Sequence, residues 1–273
     1  MQNSKISILM GIYNCEKTLD IAINSIINQT YENWELIMCD DGSSDQTYLI
    51  AQKYAEKYPN KIVVLKNEKN IRLAATLNKC AQYATGKYIA RMDADDISVE
   101  NRLEKQVYFL EEHLEYDLVG TYMKAFDDAG ERNIIPIKAK PQKTDLPKFN
   151  PFHHATIMMK KSTFDTLGGY HVSKLTTRAE DVDLWFRFYK QGFCGYNLSE
   201  PLYLVREDTE TFHRRTWKHS LEASRVLMNG IKMLGLPMKY YIFALKPVIS
   251  QITPVKLKRL FRENMDKENK KVK

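Results

Sequence analysis

The chain has 273 residues, of which 44% are hydrophobic and 27% are charged, as is ordinary for a globular protein with a sizeable core. No run of about 18 apolar residues and no signal peptide is visible, so we expect no membrane span and a cytoplasmic location. The formal net charge is +7, but the segment from Lys246 onward has nine basic and three acidic residues and carries +6 of it. The nearly neutral remainder argues against a nucleic-acid-binding body, and we expect no nucleic-acid partner.

The first half of the chain alternates between short apolar runs, which predict buried strands, and amphipathic stretches, which predict helices. The predicted strands are Ile6–Ile12, Trp34–Cys39, Ile62–Leu65 and Tyr88–Met92. The predicted helices are Glu16–Asn28, a segment that ends near Lys57, and Leu73–Ala84. Strands separated by helices of this length imply a parallel sheet with crossover helices, so the predicted fold class is α/β.

The second half has a less regular pattern of short strands and helices. The predicted strands lie near Leu118–Tyr122, Ala155–Met159 and Gly195–Tyr203, and the predicted helices near Val182–Tyr189 and Thr216–Met233. We predict one domain over residues 1–210, divided into a nucleotide-binding half (1–98) and an acceptor-binding half (99–210). A helical, basic C-terminal extension follows over residues 211–273.

Three carboxyl groups in the run Asp93-Ala94-Asp95-Asp96 directly follow the fourth predicted strand. Carboxylates this close repel one another, and a divalent cation with oxygen ligands relieves that repulsion. A cation held there can grip a diphosphate. The alternative is a polar loop in which Ser98 caps a helix over Val99–Glu112, and the acidic run alone does not decide between the two.

A second acidic loop, Asp40-Asp41-Gly42-Ser43-Ser44-Asp45, follows the second predicted strand. Ser43 and Gln46 have the spacing of a capping box, which predicts the start of the next helix. Ligands of parallel α/β sheets bind beyond the carboxyl ends of the strands. Because Asp41 and Asp93 both fall at such ends, we expect a ligand site there.

Two further motifs complete an ordered set. The run Ser7–Asn14 is a strand that leads into an aromatic and polar loop, and Ala179-Glu180-Asp181-Val182-Asp183-Leu184-Trp185 begins a predicted helix. Together with the two acidic loops, these motifs resemble the family 2 glycosyltransferases of bacterial capsule, O-antigen and exopolysaccharide synthesis. The resemblance covers roughly residues 4–206 and implies the GT-A fold, a Rossmann-like mixed sheet flanked by helices.

The resemblance implies a role for each matching residue on the donor side. Tyr13 would flank the nucleotide base, and Asp41 would accept a hydrogen bond from uracil. Asp93 would lie against the ribose and the metal, and Asp95 would ligate Mn²⁺ or Mg²⁺ directly. Hard oxygen ligands suit these two cations better than zinc.

For two further donor-side residues, the sequence allows two interpretations each. Asp96 either supports the metal ligands from outside the coordination shell or caps the next helix. Arg72 stands where many relatives carry glycine, and it either reaches the donor diphosphate or forms a salt bridge.

The resemblance also implies roles on the acceptor side. Asp181 is the candidate general base that takes the proton of the acceptor hydroxyl, and Glu180 either holds the acceptor sugar or raises the pKa of Asp181. Acids at a helix start also suit the helix dipole, which is the structural alternative for both. Trp185 packs in the core or lines the acceptor side. His154 is implied near the acceptor pocket, and His213 as a metal ligand.

These roles predict a metal-dependent, inverting enzyme that moves one hexosyl or N-acetylhexosaminyl group from a UDP-sugar to a hydroxyl of a glycan or lipid-linked acceptor. The Gln-x-x-Arg-Trp signature of processive synthases is missing, which favours single transfer. One alternative is a sugar nucleotidyltransferase, although the loop Gly11–Cys15 has only one glycine. The other is a catalytically silent scaffold that binds carbohydrate or nucleotide.

The C-terminal segment becomes apolar after Pro237 and then basic. We expect its apolar residues to enter a membrane interface at the inner face of the plasma membrane while basic side chains meet anionic headgroups. The basic side chains concerned are Lys256, Lys258, Arg259 and Arg262. The alternative is a helical pair packed on the main domain.

Overall fold

The computed structural model describes residues 3–207 and 216–252. In these ranges nine strands form one mixed sheet in the order β3-β2-β1-β4-β8-β6-β9-β5, and β7 pairs with β6. The strands are β1 (Ile6–Ile12), β2 (Trp34–Asp40), β3 (Ile62–Lys66), β4 (Tyr88–Arg91), β5 (Ile97–Ser98), β6 (Leu118–Asp127), β7 (Gly130–Ile135), β8 (Met158–Lys160) and β9 (Gly195–Arg206).

Eight α-helices are present in the same ranges. They are α1 (Leu19–Ile27), α2 (Thr47–Lys57), α3 (Leu73–Gln82), α4 (Arg102–Glu112), α5 (Lys161–Thr166), α6 (Glu180–Lys190), α7 (Trp217–Met233) and α8 (Lys246–Ile252). Short 3-10 helices cover His154–Thr156 and Met238–Leu245. The alternation of strand and helix predicted for the first half is confirmed.

The first four strands form the parallel half of the sheet, in which β1, β2 and β4 are buried on both faces and the edge strand β3 is partly exposed. Along β1, Ile8 and Met10 pack in the core on one face, and Leu9 packs in the core on the other. Burial on both faces explains why these strands are continuous apolar runs in the sequence. The core on the first face includes α1 and α4 side chains, whereas the core on the second face includes side chains of α3, α6 and α7.

Strand register brings the ends of the parallel strands together. Ile12 of β1 pairs with Asp40 of β2, and Leu9 of β1 pairs with Arg91 of β4. The loops that follow β1, β2 and β4 therefore leave the sheet at one edge, as the sequence predicted for Asp41 and Asp93. This edge is where ligands of such sheets bind.

Two predicted helix caps are wrong. Ser98 belongs to β5, where it pairs with Tyr203, and α4 begins later, after Asn101. Ser43 does not cap α2; its Oγ accepts the N–H of Asn14 from the loop after β1. In both cases a contact with a distant part of the chain replaces the helix cap that the local spacing predicted: β9 pairs with Ser98, and Asn14 donates to Ser43.

The first C-terminal helix packs on the main domain. A Cβ at Gly230 of α7 would overlap the ring of Phe186 on α6, so the two helices are in close contact. Ile231 is fully buried in the core that α6 shares. The division of the chain at residue 210 stays a prediction, and the basic residues after Ile252 lie outside the described residues. No helix within residues 3–207 or 216–252 is both long and apolar enough to cross a membrane.

Candidate active site

A cleft of about 850 Å³ opens at the carboxyl ends of β1 and β2. One wall consists of the ends of these strands and the start of α3, and it includes Tyr13, Asp41 and Arg72. The rest of the lining comes from residues 171–180 and from the first turns of α7, and it includes Glu180. The cleft thus joins the two halves predicted from the sequence.

Reciprocal hydrogen bonds join the loop after β1 to the loop after β2. The Asn14 N–H donates to Ser43 Oγ at 3.0 Å, and the Ser44 N–H donates to Asn14 Oδ1 at 2.9 Å. Tyr13 precedes this junction and is 50% exposed although it lines the cleft. A half-exposed aromatic ring on a loop that is held by these hydrogen bonds is suited to stacking against a flat ligand.

Asp41 organises the loop that leads into α3. Its Oδ1 accepts hydrogen bonds from Asn67 Nδ2 and the Ile71 N–H, both at 2.9 Å. Its Oδ2 accepts the Arg72 N–H at 3.0 Å. A carboxylate has about four acceptor positions, and these bonds use three. Asp41 is 5% exposed and lines the cleft, so one position remains for a ligand N–H.

Left-handed backbone at non-glycine residues occurs beside this cleft. The φ angles are +46° at Asn14, +78° at Arg72 and +61° at Arg178. Arg72 and Arg178 line the cleft, and Asn14 follows Tyr13 of its wall. Such backbone costs on the order of 1–3 kcal/mol per residue and clusters at functional sites. The three positions therefore support this cleft as the functional one.

The acidic run after β4 forms a small cluster of charges. Asp93 Oδ2 is 2.5 Å from Arg91 Nη1, and Asp96 Oδ1 accepts the Arg206 N–H at 2.8 Å. Burial first, and then the nearby Asp93 and Asp95, raise the pKa of Asp96 well above its usual range. Asp95 is the exposed member. The cap interpretation of Asp96 is wrong because its side chain binds β9 backbone instead of a helix end.

Whether the acidic run can hold a divalent cation depends on whether a bound substrate supplies further ligands. No group of three or more His, Cys, Asp or Glu side chains in the described part of the chain is arranged to hold a metal. Magnesium sites commonly use one or two carboxylates together with substrate phosphates. Asp95 and the neighbouring Asp93 fit that pattern. His213, predicted as a further ligand, lies outside the described residues.

The two acids at the start of α6 lie near a buried tyrosine. Burial first, and then Asp181, raise the pKa of Glu180. Asp181 Oδ2 accepts a hydrogen bond from Asn150 Nδ2 at 3.3 Å. The pKa of Tyr170 is raised by burial, and Glu180, Asp181 and Asp93 add to the shift. Because these acids act on the same hydroxyl group, the acidic run and the α6 acids lie within electrostatic reach of one point.

The structure brings together only some of the predicted site residues in the cleft wall itself. Those that line it are Tyr13, Asp41, Arg72 and Glu180, whereas Asp93, Asp95 and Asp181 do not. Of the acids outside the wall, Asp93 is ion-paired with Arg91, whose charge also lowers the pKa of Glu180 as a minor contribution.

Sequence reasoning missed Arg91 as a site residue. It is 4% exposed, and its Nε has no hydrogen-bond partner among the described residues. The available signal was a single arginine inside the apolar strand that precedes the acidic run. A buried cation directly before several carboxyl groups is a reason to expect an ion pair.

The two predicted acceptor-side aromatic residues differ in outcome. Trp185 is fully buried and packs edge-on against Phe152 and Phe188, as expected from the core alternative of its two interpretations. Its face of α6 points into the core. His154 is partly buried, and its Nε2 lies 2.6 Å from Tyr170 Oη. Its role in acceptor binding stays a prediction.

Comparison with known proteins decides the family. The family model described as Glycosyl transferase family 2 matches residues 7–168. The chain belongs to glycosyl transferase family 2. It is therefore a glycosyltransferase, and the prediction made from the four motifs is confirmed.

Curated relatives match over most of the chain. It is 48% identical over 250 residues to the Bacillus subtilis protein EpsE, covering 92% of this chain and 90% of the relative. It is 37% identical over 208 residues to an Escherichia coli enzyme, covering 73% of this chain and 78% of that protein. That enzyme is named UDP-Glc:alpha-D-GlcNAc-diphosphoundecaprenol beta-1,3-glucosyltransferase WfgD.

A solved structure confirms the fold. Staphylococcus aureus TarS, residues 1–349 in complex with UDP, matches with a TM-score of 0.66 at 19% sequence identity. The match covers 94% of this chain and 78% of that chain. The GT-A fold predicted from the motifs is thereby confirmed.

Proposed function

We propose that this glycosyltransferase transfers one sugar, with inversion, from a UDP-sugar to a hydroxyl group of a glycan or lipid-linked acceptor in cell-surface polysaccharide synthesis. The observation that carries the proposal is the cleft whose wall includes both Asp41, at the strand ends, and Glu180, at the start of α6. The named activity of WfgD, a UDP-glucose-dependent transfer to a diphosphoundecaprenol-linked sugar, supports this donor and acceptor class.

Donor binding would use the wall formed by the strand ends. Tyr13 would stack on the uracil ring, and the remaining acceptor position of Asp41 would take the uracil N–H. Arg72 would bind the diphosphate, because it lines the cleft and forms no ion pair with the described residues. The proposal that Arg72 instead forms a structural salt bridge has no support in the described contacts.

A divalent cation, Mn²⁺ or Mg²⁺, would be held by Asp95 with Asp93 beside it. When bound, such a cation stabilises the charge that develops on a departing diphosphate. Asp93 is already oriented by Arg91, whose buried guanidinium group holds one of its oxygens. Asp95 is exposed, and it would be the direct ligand.

Asp181 would act as the general base for the acceptor hydroxyl group, and an acceptor that attacks opposite the diphosphate would invert the anomeric centre. Its Oδ2 is oriented by Asn150. Glu180, which lines the cleft wall, would bind the acceptor sugar or act on Asp181 by like-charge repulsion. General-base catalysis of this kind contributes about 10²- to 10⁴-fold in rate.

A panel of nucleotide sugars tests the proposal. We expect UDP-glucose, UDP-galactose or their N-acetylated forms to release UDP when Mn²⁺ is present, and GDP- and CMP-sugars to release nothing. The measurement is the rate of nucleotide release with each donor. Tight UDP binding with no release from any donor would instead favour a silent scaffold.

We also propose that the basic C-terminal segment holds the protein at an anionic membrane surface, where lipid-linked acceptors are found. Each basic residue near such a surface contributes roughly 1 kcal/mol. Replacement of the four central basic residues by glutamine is therefore expected to release the full chain from vesicles that contain anionic lipid. The replaced residues are Lys256, Lys258, Arg259 and Arg262.

Flotation of the wild-type and substituted chains with anionic and with neutral vesicles measures this effect. We expect the wild-type chain to float only with anionic vesicles. Equal flotation of both chains would contradict the proposal.

A further inference from the structure

Helix α7 contributes to the cleft although it lies beyond the residues matched by the family model. Lys218, His219 and Glu222 in its first turns line the cleft. The family match ends at residue 168, so this part of the lining is not among the matched residues. A cleft wall outside the matched region is a reason to look for residues that distinguish one substrate from another.

Glu222 is an unusual side chain in this wall. The residue is 8% exposed, yet it forms no hydrogen bond and no ion pair with any residue in 3–207 or 216–252. The carboxyl oxygens of Glu222 are not among the fully buried polar atoms of the described residues that lack a partner, so they stay open to the cleft. Because Glu222 lines the cleft, a bound ligand can supply the missing hydrogen-bond donors.

The position of Glu222 is fixed by contacts at both sides of it along α7. Thr216 and His219 form a reciprocal capping box at the start of the helix. Two turns after Glu222, Gly230 lies against Phe186 of α6. Helix α6 begins with Glu180 of the same cleft, so Glu222 is held in a defined place relative to the catalytic acids. Rigid support of this kind is what a recognition residue needs.

We propose that Glu222 is a recognition residue whose carboxyl group accepts hydrogen bonds from the hydroxyl groups of a sugar in the cleft. The proposal rests on the proposed function, because it assumes a sugar substrate. A carboxyl group suits neighbouring hydroxyl donors and disfavours an anionic group such as a diphosphate. The sugar is either the one carried by the donor or the one at the end of the acceptor.

The proposed recognition role can be tested with the substitutions Glu222→Gln and Glu222→Ala. The control is Arg225→Gln. Arg225 is an exposed residue on α7 that does not line the cleft. Four quantities are measured for each chain: the Kd for UDP, the Kd for the UDP-sugar, the KM for the acceptor and the thermal unfolding temperature. Glu222→Gln keeps the side-chain size and therefore decides the matter if Glu222→Ala does not fold.

We expect Glu222→Ala to weaken sugar recognition by about 10- to 100-fold while the Kd for UDP stays unchanged. A higher Kd for the UDP-sugar alone assigns Glu222 to the donor sugar, and a higher KM for the acceptor alone assigns it to the acceptor sugar. The proposal is overturned if neither changes, or if UDP binding weakens equally. A wild-type chain that turns over no sugar nucleotide would refute the proposed function instead, so the two failures are distinguishable.

Discussion

Replacement of Asp181 by asparagine is expected to lower kcat by about 10²- to 10⁴-fold and to leave the Kd for the UDP-sugar unchanged. Asparagine keeps the size of the side chain and an acceptor oxygen for Asn150, but it cannot take the proton of the acceptor hydroxyl. The measurement is kcat for sugar transfer together with donor binding by calorimetry.

Asp183→Asn is the matched control, because Asp183 also lies in the first turn of α6. Its carboxyl group binds Arg187 Nε at 2.8 Å and faces His171, so it has a structural role. If Asp181 serves only the helix dipole, both substitutions will lower stability by up to about 1 kcal/mol and neither will change kcat strongly. An Asp181→Asn enzyme with near wild-type kcat would remove the base assignment.

Replacement of Asp95 by alanine is expected to abolish the response of the enzyme to Mn²⁺ and to lower kcat by at least about 10²-fold. The physical reason is that the exposed carboxyl group of the acidic run is lost, and with it the proposed direct ligand of the cation. The measurement is UDP release across a titration of Mn²⁺ for wild-type and substituted enzymes.

Asp128→Ala provides the control for removing an exposed carboxyl group nearby. The Asp128 side chain is 97% exposed and binds Arg206, whose Nε also reaches the Asp95 carbonyl oxygen. We expect Asp128→Ala to keep the wild-type Mn²⁺ titration. An Asp95→Ala enzyme that still gains activity with Mn²⁺ would show that the cation is held elsewhere.

The sequence was informative where a pattern is local and repeated. Alternating apolar runs and amphipathic stretches predicted the parallel half of the sheet, and strand ends predicted the edge at which Asp41 and Asp93 lie. This works because burial on both faces leaves a continuous apolar strand, and because parallel strands share one carboxyl edge.

The sequence was uninformative where long-range contacts decide. The spacing of Trp185 on α6 is compatible with a core face or a cleft face, and only the packing against Phe152 settles that it is core. Ser98 had the residue type of a cap, but pairing with β9 took it into a strand. The contribution of α7 to the cleft depends on its contact with α6, which no local pattern encodes.

UDP release by the wild-type chain from its preferred UDP-sugar, assayed with chelator and again after Mn²⁺ is added back, tests directly whether a cation and a uracil nucleotide bind together in this cleft. We expect release with acceptor present to stop with chelator and to return with Mn²⁺, and we expect excess UDP to inhibit it. Full release in the presence of chelator, or release that excess UDP does not inhibit, would contradict a cation and a uracil nucleotide bound together in this cleft.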